Sequence, residues 1–448
     1  MAITRNNISL NTHEAITPQA YDLSSVVMTM HNGQEYDITS MVDEVTVTES
    51  IYRMALTATF RLYDANNFFE DKQVSGQEKI VATWHRTAVN ELDNVRIEKT
   101  FYVADIPVYS RVQDHSQVYQ FDCITRLGFV NNTKLISRSF SGTPATIVKD
   151  IIENDLGYKD EVAFVSNNTS NIIRVIIPNW RPFNAIQWVL RNAVDNRGSS
   201  FYCYETFTEG VKILSYHEML EAENYRTYSH GTFFNSDPHT SEDYDERRDR
   251  ILEINSDMYM SKYNNVRLGA YASTTLSIDM TTKTYRRHRF NYVDEFSEMY
   301  HVDHREVHPN ISRGFTLNDQ TLDQQETAKM NFISNNALAY GGEFNNYHAG
   351  RETNIGRHTA FEMNMDNFVH DVKIAGDYEI QPGVMIGLKI PKAVDPESRP
   401  NDNVDEDKHV SGDYLVTSVV HTFGDEYICD MRCKKDVMSV ELSEGSTT

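Results

Sequence analysis

Tryptophan and cysteine are scarce in this chain, at three and four residues among 448. Four cysteines cannot staple so long a chain, and Cys123, Cys203, Cys429 and Cys433 all fall in strand-like contexts. Reduced core thiols are therefore expected rather than disulfides or metal ligands. Cys429 and Cys433 share one side of a strand, a spacing that is not by itself a metal signature. No apolar run approaches bilayer length, and Met1-Ala2-Ile3-Thr4-Arg5 does not read as a basic-then-apolar leader. Folding in the cytoplasm without stable membrane insertion is the expectation. Positive charge is also in deficit, with 42 Lys and Arg against 65 Asp and Glu and a formal charge of −23. Such a field repels free nucleic acid and favours solubility, although it suits a wall that DNA slides past without sticking. The glycine-rich turns of phosphate and dinucleotide sites are missing, as is a serine flanked by glycines on a sharp elbow.

What the chain does have is 25 Tyr and 21 Phe, with abundant Asn and Thr. That composition favours strands and turns over long helices. Residues 1 to about 20 read as a polar arm. From Ser24 to Arg126 strand follows strand: Val26–Met30, Val45–Thr48, Leu56–Leu62, Lys79–Trp84, Phe101–Tyr109 and Val118–Ile124, with turn signals such as Asn32-Gly33 and Ser75-Gly76 between them. A small barrel is the economical solution.

The pattern changes after Leu127. Thr143-Pro144 reads as an N-cap with proline at the first helical position, and Ile147, Val148, Ile151, Ile152 and Leu156 share one face before Gly157. A strand from Ile172 to Ile177 leads through Pro178-Asn179-Trp180-Arg181-Pro182 to a second helix, Phe183 to about Asn196. A hairpin, Phe201–Thr206 with Val211–Tyr216, turns at Glu209-Gly210. His230 to Arg250 reads as a linker before a strand from Ile251 to Met260. Residues 275 to 365 read as irregular, with one helical pattern from Asp323 to Tyr340 ended by Gly341-Gly342. Strands return from Val369 to Arg432, interrupted by the acidic loop Asp395–Asp407, and Val437–Thr448 reads as a C-terminal arm.

Two distant stretches resemble each other, Gly76–Arg126 and Gly383–Arg432. Each starts at a glycine and an apolar run (Ile80-Val81-Ala82, Val384-Met385-Ile386) and continues to a strand led by Tyr102 or Tyr414. Each returns through a strand led by Tyr119 or Tyr427, with Asp122 or Asp430 three residues on. A duplicated β-unit predicts the same strand order and direction in both copies. A ring of such chains carries twice as many similar modules as chains, which suits an adaptor between symmetries.

Candidate chemistry is sparse. His301, His304 and His308, with Asp303 and Glu306 among them, could share a helical face and hold a divalent metal. Pro309 closes that stretch and no motif fixes the spacing, so ordinary surface histidines are the preferred reading. Arg286-Arg287-His288-Arg289, beside Tyr285, Phe290 and Tyr292, has the texture of a protein contact or salt-bridged strand more than of a DNA site. Trp180 and Phe183 read as core anchors of the second helix. The acid pairs Asp294-Glu295 and Asp405-Glu406-Asp407 lie in hydrophilic stretches and lack the burial that an acid catalyst needs.

Several stretches, in order, resemble the central baseplate hub protein of contractile-tailed bacteriophages, the T4-like hub family. They are Val45–Tyr52 leading into Leu62-Tyr63-Asp64; Ile176–Phe183 with its helix and the Phe201 hairpin; and Val372–Ile390 with Tyr414–Arg432. The acidic loop Asp395–Asp407 and the length of 275–365 depart from the family pattern. The resemblance implies an α+β, mainly β fold with two similar small β-barrel domains, an α+β middle domain and an inserted irregular domain. Its boundaries would be 1–20 (arm), 21–127 (first barrel), 128–245 (α+β), 246–275 plus 366–436 (second barrel), 276–365 (insert) and 437–448 (arm). It implies a structural virion protein: a homotrimer that adapts a six-fold tail tube to a three-fold central spike, contacts tape measure and baseplate wedge proteins, and passes DNA without specific binding. No catalytic, cofactor-binding or metal residue, and no cofactor, follows from it. The alternative is a tail fibre or spike β-protein that binds or cleaves cell-surface carbohydrate.

Overall fold

A computed structural model describes residues 19–85, 96–113, 116–159, 161–195, 197–233, 244–257, 262–280, 283–302, 318–320, 324, 329–334, 351–392 and 405–437. The arms at 1–18 and 438–448, and the acidic loop from 393 to 404, lie outside the described residues. The chain is α+β and mainly β, as expected. A first β-unit comprises β1 (Asp22–Thr29), β2 (Glu35–Asp37), β3 (Val42–Ser50), β4 (Thr57–Asp64), β5 (Lys79–His85), β6 (Arg96–Gln113) and β7 (Ser116–Thr125). All neighbours are antiparallel, in the order β3-β4-β7-β6-β5-β1-β2. Alternation drives this arrangement: Val45, Val47, Phe60, Leu62, Phe101, Tyr119 and Phe121 are buried while their neighbours face outward. Burial of each large side chain contributes about 1.5–3 kcal/mol. A short turn, Thr39–Met41, spans the gap between β1 and β3; Ile38 N–H donates to Val26 O (2.9 Å) and Val26 N–H to Thr39 Oγ1 (2.7 Å).

The middle of the chain holds β8 (Ile136–Gly142), β9 (Val162–Val165), β10 (Ile173–Trp180), β11 (Phe201–Thr206) and β12 (Gly210–Ser215). They form a two-stranded and a three-stranded sheet around the helices Pro144–Asp150 and Pro182–Arg191. Thr143 caps the first helix, its Oγ1 accepting from Thr146 N–H (3.5 Å), and Pro144 follows. The second helix stops at Arg191, short of the expected Asn196. Asn171 explains the early stop: its Nδ2 donates to Asn192 O (2.8 Å) and its Oδ1 accepts from Val194 N–H (3.1 Å). Those backbone groups are satisfied by a side chain instead of by another helical turn.

The remaining strands are β13 (Arg226–His230), β14 (Arg250–Asp257), β15 (Ala272–Asp279), β16 (Thr284–Asn291), β17 (Met330–Ser334), β18 (Phe368–Ala375), β19 (Met385–Lys389), β20 (Gly412–Phe423) and β21 (Tyr427–Lys435). β13 lies parallel to both β14 and β19, which closes the ring β13-β14-β18-β21-β20-β19 into a barrel. β15 to β17 form a separate sheet between β14 and β18 in the chain. Two expectations for this region are corrected. Within the helical pattern Asp323–Tyr340, Met330–Ser334 form strand β17 instead, pairing parallel with β15 at Thr274↔Met330 through Ile278↔Ser334. The stretch read as irregular also contains a helix, Arg351–Met365. Buried Asn354 and Asn364 and the close-packed Gly356 sit on its inner side and dilute the apolar period. The linker reading His230–Arg250 falls partly on residues 234–243, outside the described set; the described remainder includes the helix Tyr244–Arg248.

The duplicated stretches match as expected in strand order and direction. In the first, β5-β6-β7 continue to β4 and β3; in the second, β19-β20-β21 continue to β18 and β14, every neighbour antiparallel. Both copies open on a glycine in the left-handed region, Gly76 at φ +83° and Gly383 at φ +88°. Tyr119 and Tyr427 point inward and are buried.

Candidate functional site at the junction of the two β-units

The two β-units are joined through one strand. The start of β20, Gly412–Leu415, pairs with β19, and its end, Ser418–Phe423, pairs with β3. The change of partner coincides with a register shift between Val416 and Ser418 against β21. At that bulge Thr417 O accepts from Ile51 N–H (3.0 Å) and Ser50 Oγ (3.2 Å), so the freed carbonyl is satisfied by the end of β3. One apolar core runs through both units, from Trp84 and Phe101 to Phe423 and Tyr427.

A polar cluster is sealed in this junction. Strand alternation aims Glu49 of β3 and His421 of β20 inward, and both side chains are 0% exposed. His421 Nε2 lies 3.0 Å from Glu49 Oε1, and its Nδ1 lies 2.9 Å from the Tyr427 hydroxyl and 3.4 Å from Cys429 Sγ. Glu49 Oε2 also accepts from the Phe207 N–H of the middle domain (2.7 Å). Burial opposes a charge on His421, but Cys429 and the Glu49 carboxylate outweigh it and raise its pKa to about 10. The cluster is a cross-domain latch: both charged side chains are sealed from solvent, and its members come from β3, β20, β21 and the Phe207 turn of the middle domain.

Two further groups tie the middle domain in. Glu205 on β11 accepts from Leu56 N–H (3.2 Å), Thr125 Oγ1 (2.5 Å) and the Tyr158 hydroxyl (3.1 Å), and burial holds its pKa above the usual carboxylate range. Tyr52 bonds the Tyr216 hydroxyl (3.2 Å) and Lys434 Nζ (3.3 Å), while Lys434 pairs with Asp366 at 2.6 Å. Tyr202 donates to Glu362 nearby. First unit, middle domain, inserted helix and second unit thus meet around one tyrosine. A crevice of about 310 Å³ opens beside it, lined by Tyr52, Gln187, Arg191, Tyr202, His358 and Glu362.

The structure separates the residues singled out from the sequence. His301 is already engaged: Nδ1 lies 2.7 Å from Asp436 Oδ2, Nε2 lies 3.0 Å from Phe296 O, and its ring stacks on Phe296. Burial opposes its protonation, but Asp436 outweighs this and raises its pKa. His304 and His308, with Asp303 and Glu306, lie outside the described residues, and no three His, Cys, Asp or Glu side chains are placed to hold a metal ion among the described residues. Arg286 to Arg289 lie on β16, with Arg289 donating to Gln324 O (2.8 Å) and Phe290 and Tyr292 buried. Glu295 of the pair Asp294-Glu295 is held by Arg357 at 2.6 Å. Trp180 and Phe183 pack at the edge of the middle core, Trp180 edge-on to Trp188 at 5.8 Å. All four cysteines are free and buried. Glu49, His421 and Glu205 escaped the sequence reading, yet a signal existed: Glu49 continues the inward series Val45, Val47, and His421 falls between Val419 and Phe423.

No protein-family model matches the chain, and no curated protein matches it. Among solved structures, its fold is similar to that of the tail protein from Neisseria meningitidis MC58, at 9% identity and a TM-score of 0.53, covering 92% of this chain and 96% of that one. It is also similar to the 43 kDa tail protein of prophage MuSo2 from Shewanella oneidensis, at 11% identity and a TM-score of 0.51, covering 92% and 98%. At these identities the likeness is one of fold. No helix among the described residues is long and apolar enough to cross a membrane.

Proposed function

We propose that the chain is a structural component of a phage-type tail, working as a trimeric baseplate hub between a six-fold tail tube and a three-fold central spike. The observation that carries this reading is the repeated strand order of the two β-units and their fusion through β20. Two like modules held rigidly in one chain let three chains present six similar surfaces on one face and three-fold surfaces on the other. The fold likeness to two solved tail proteins supports it. Function in this reading is assembly and load transmission, and the sealed Glu49–His421 latch fits it because a module shearing against its neighbour would have to expose a buried ion pair. Its partners are the tube and spike proteins, with tape measure and wedge proteins beside them, and an acidic channel lets DNA pass. Negative-stain microscopy of the purified protein tests the proposal: six-lobed rings of three chains are expected, and monomers at working concentration overturn it.

A further inference from the structure

The inserted sheet is patterned inside out. On β15, Ser273, Thr275, Ser277 and Asp279 are buried, whereas Ile278 and the following Met280 are exposed. The register places Tyr285 opposite Ile278, and Phe332 and Met330 opposite Leu276 and Thr274, so these side chains share the outer face. Met280, Tyr285 and Phe332 are 76%, 74% and 66% exposed. The helix Arg351–Met365 covers the opposite face, where Gly356 sits against the Phe290 ring. A shallow concavity of about 500 Å³ lies on the outer side, lined by Leu276, Ile278, Met280 and Tyr285. A chain that buries its hydroxyls and exposes its aromatics there has an apolar surface shaped for a partner.

We infer that this face docks a second copy of the chain and forms part of the subunit interface of the ring, an assignment that rests on the ring reading above. Charge selects the occupant. The register with β15 places Arg287 and Arg289, opposite Leu276 and Thr274, on this face, and Lys283 lines the concavity beside them, in a chain whose formal charge is −23. The surface a second copy presents is therefore predominantly acidic and complements it. The same cations argue against a two-fold dimer through this face, because a two-fold axis would set them against one another. A heterologous contact, with this face meeting a different surface of the next copy, closes into a ring. The sheet leaves the second barrel between β14 and β18, so docking here also holds that barrel beside its neighbour.

Sedimentation velocity of the full chain, alone and as Phe332→Glu with Met280→Glu, tests the assignment. Both positions are exposed, so the variant should keep the wild-type circular dichroism and melting temperature. A trimer that falls to monomer, with a dissociation constant raised about 30-fold or more, is expected of a buried aromatic anchor. A variant that stays trimeric with wild-type affinity overturns this interface and leaves the ring reading standing. A wild-type chain that is monomeric throughout overturns both. A separate Arg289→Glu variant should weaken association more at low salt than at high salt; equal weakening at both would remove the electrostatic argument for a second copy.

Discussion

The two β-units share a strand order but finish their edges differently. In the second, β13 lies between β14 and β19 and closes the ladder with backbone hydrogen bonds. In the first, β1 runs antiparallel to β5 and never reaches β3; the turn Thr39–Met41 spans the gap and leaves the other edge of β3 open. An open strand edge is a hazard, and this one is covered by the far half of β20. The second unit therefore completes itself and lends a strand, whereas the first borrows one. Two like modules with unlike edges form a fixed pair, which two independent barrels on a linker would not.

The strongest way to break the comparison is to cut the latch at the borrowed edge. Glu49→Ala removes the acceptor shared by His421 and Phe207 N–H and leaves a buried imidazolium without its carboxylate. A loss of about 3–5 kcal/mol is expected, because a buried pair broken on one side leaves an uncompensated charge. Chemical denaturation measures it. The two units should still unfold in one transition in the wild type; two well-separated transitions there would show that β20 does not couple them.

A smaller effect comes from pH. The His421 pKa is raised above its ordinary value, so the stability it contributes is complete below about pH 6.5 and is lost as pH climbs towards about 10. Between pH 7 and 8, unfolding free energy should fall by about 1.2 kcal/mol on account of His421, and ionisation of the thiols in the unfolded chain adds a smaller fall of the same sign. His301, raised by Asp436, adds a contribution of the same sign. His421→Gln should flatten the slope. An unchanged slope would mean that His421 is neutral in the folded protein and that the latch is a neutral hydrogen bond.

How much of this was legible in the sequence follows from what each signal depends on. Strands with one face inward, such as β3, β4 and β7, announce themselves by alternation, and Gly76 and Gly383 mark both copies because each turn needs a positive φ. The two helices of the middle domain were read from caps and stripes that are local. Strand β17 was not, because its partner β15 lies some fifty residues earlier in the chain, and only that pairing decides between helix and strand. The helix Arg351–Met365 was missed because Asn354, Gly356 and Asn364 face inward. The latch needed tertiary knowledge: alternation places Glu49 and His421 inward, but only the change of partner along β20 brings them within 3.0 Å.

The gentlest test concerns the strand that closes the second barrel. Tyr228 of β13 is fully buried, and its hydroxyl has no hydrogen-bond partner among the described residues. The ring packs in the common core and carries the packing energy, whereas the hydroxyl contributes a desolvation penalty with nothing to offset it. Tyr228→Phe keeps the ring and deletes the orphan, so stability should stay level or rise by about 0.5–1 kcal/mol. The gain would appear in the same single unfolding transition, since the closing strand and the borrowed strand share one core. A loss of 1 kcal/mol or more would instead reveal a partner for the hydroxyl, and with it a polar contact that the first unit, closed by a turn, does not have.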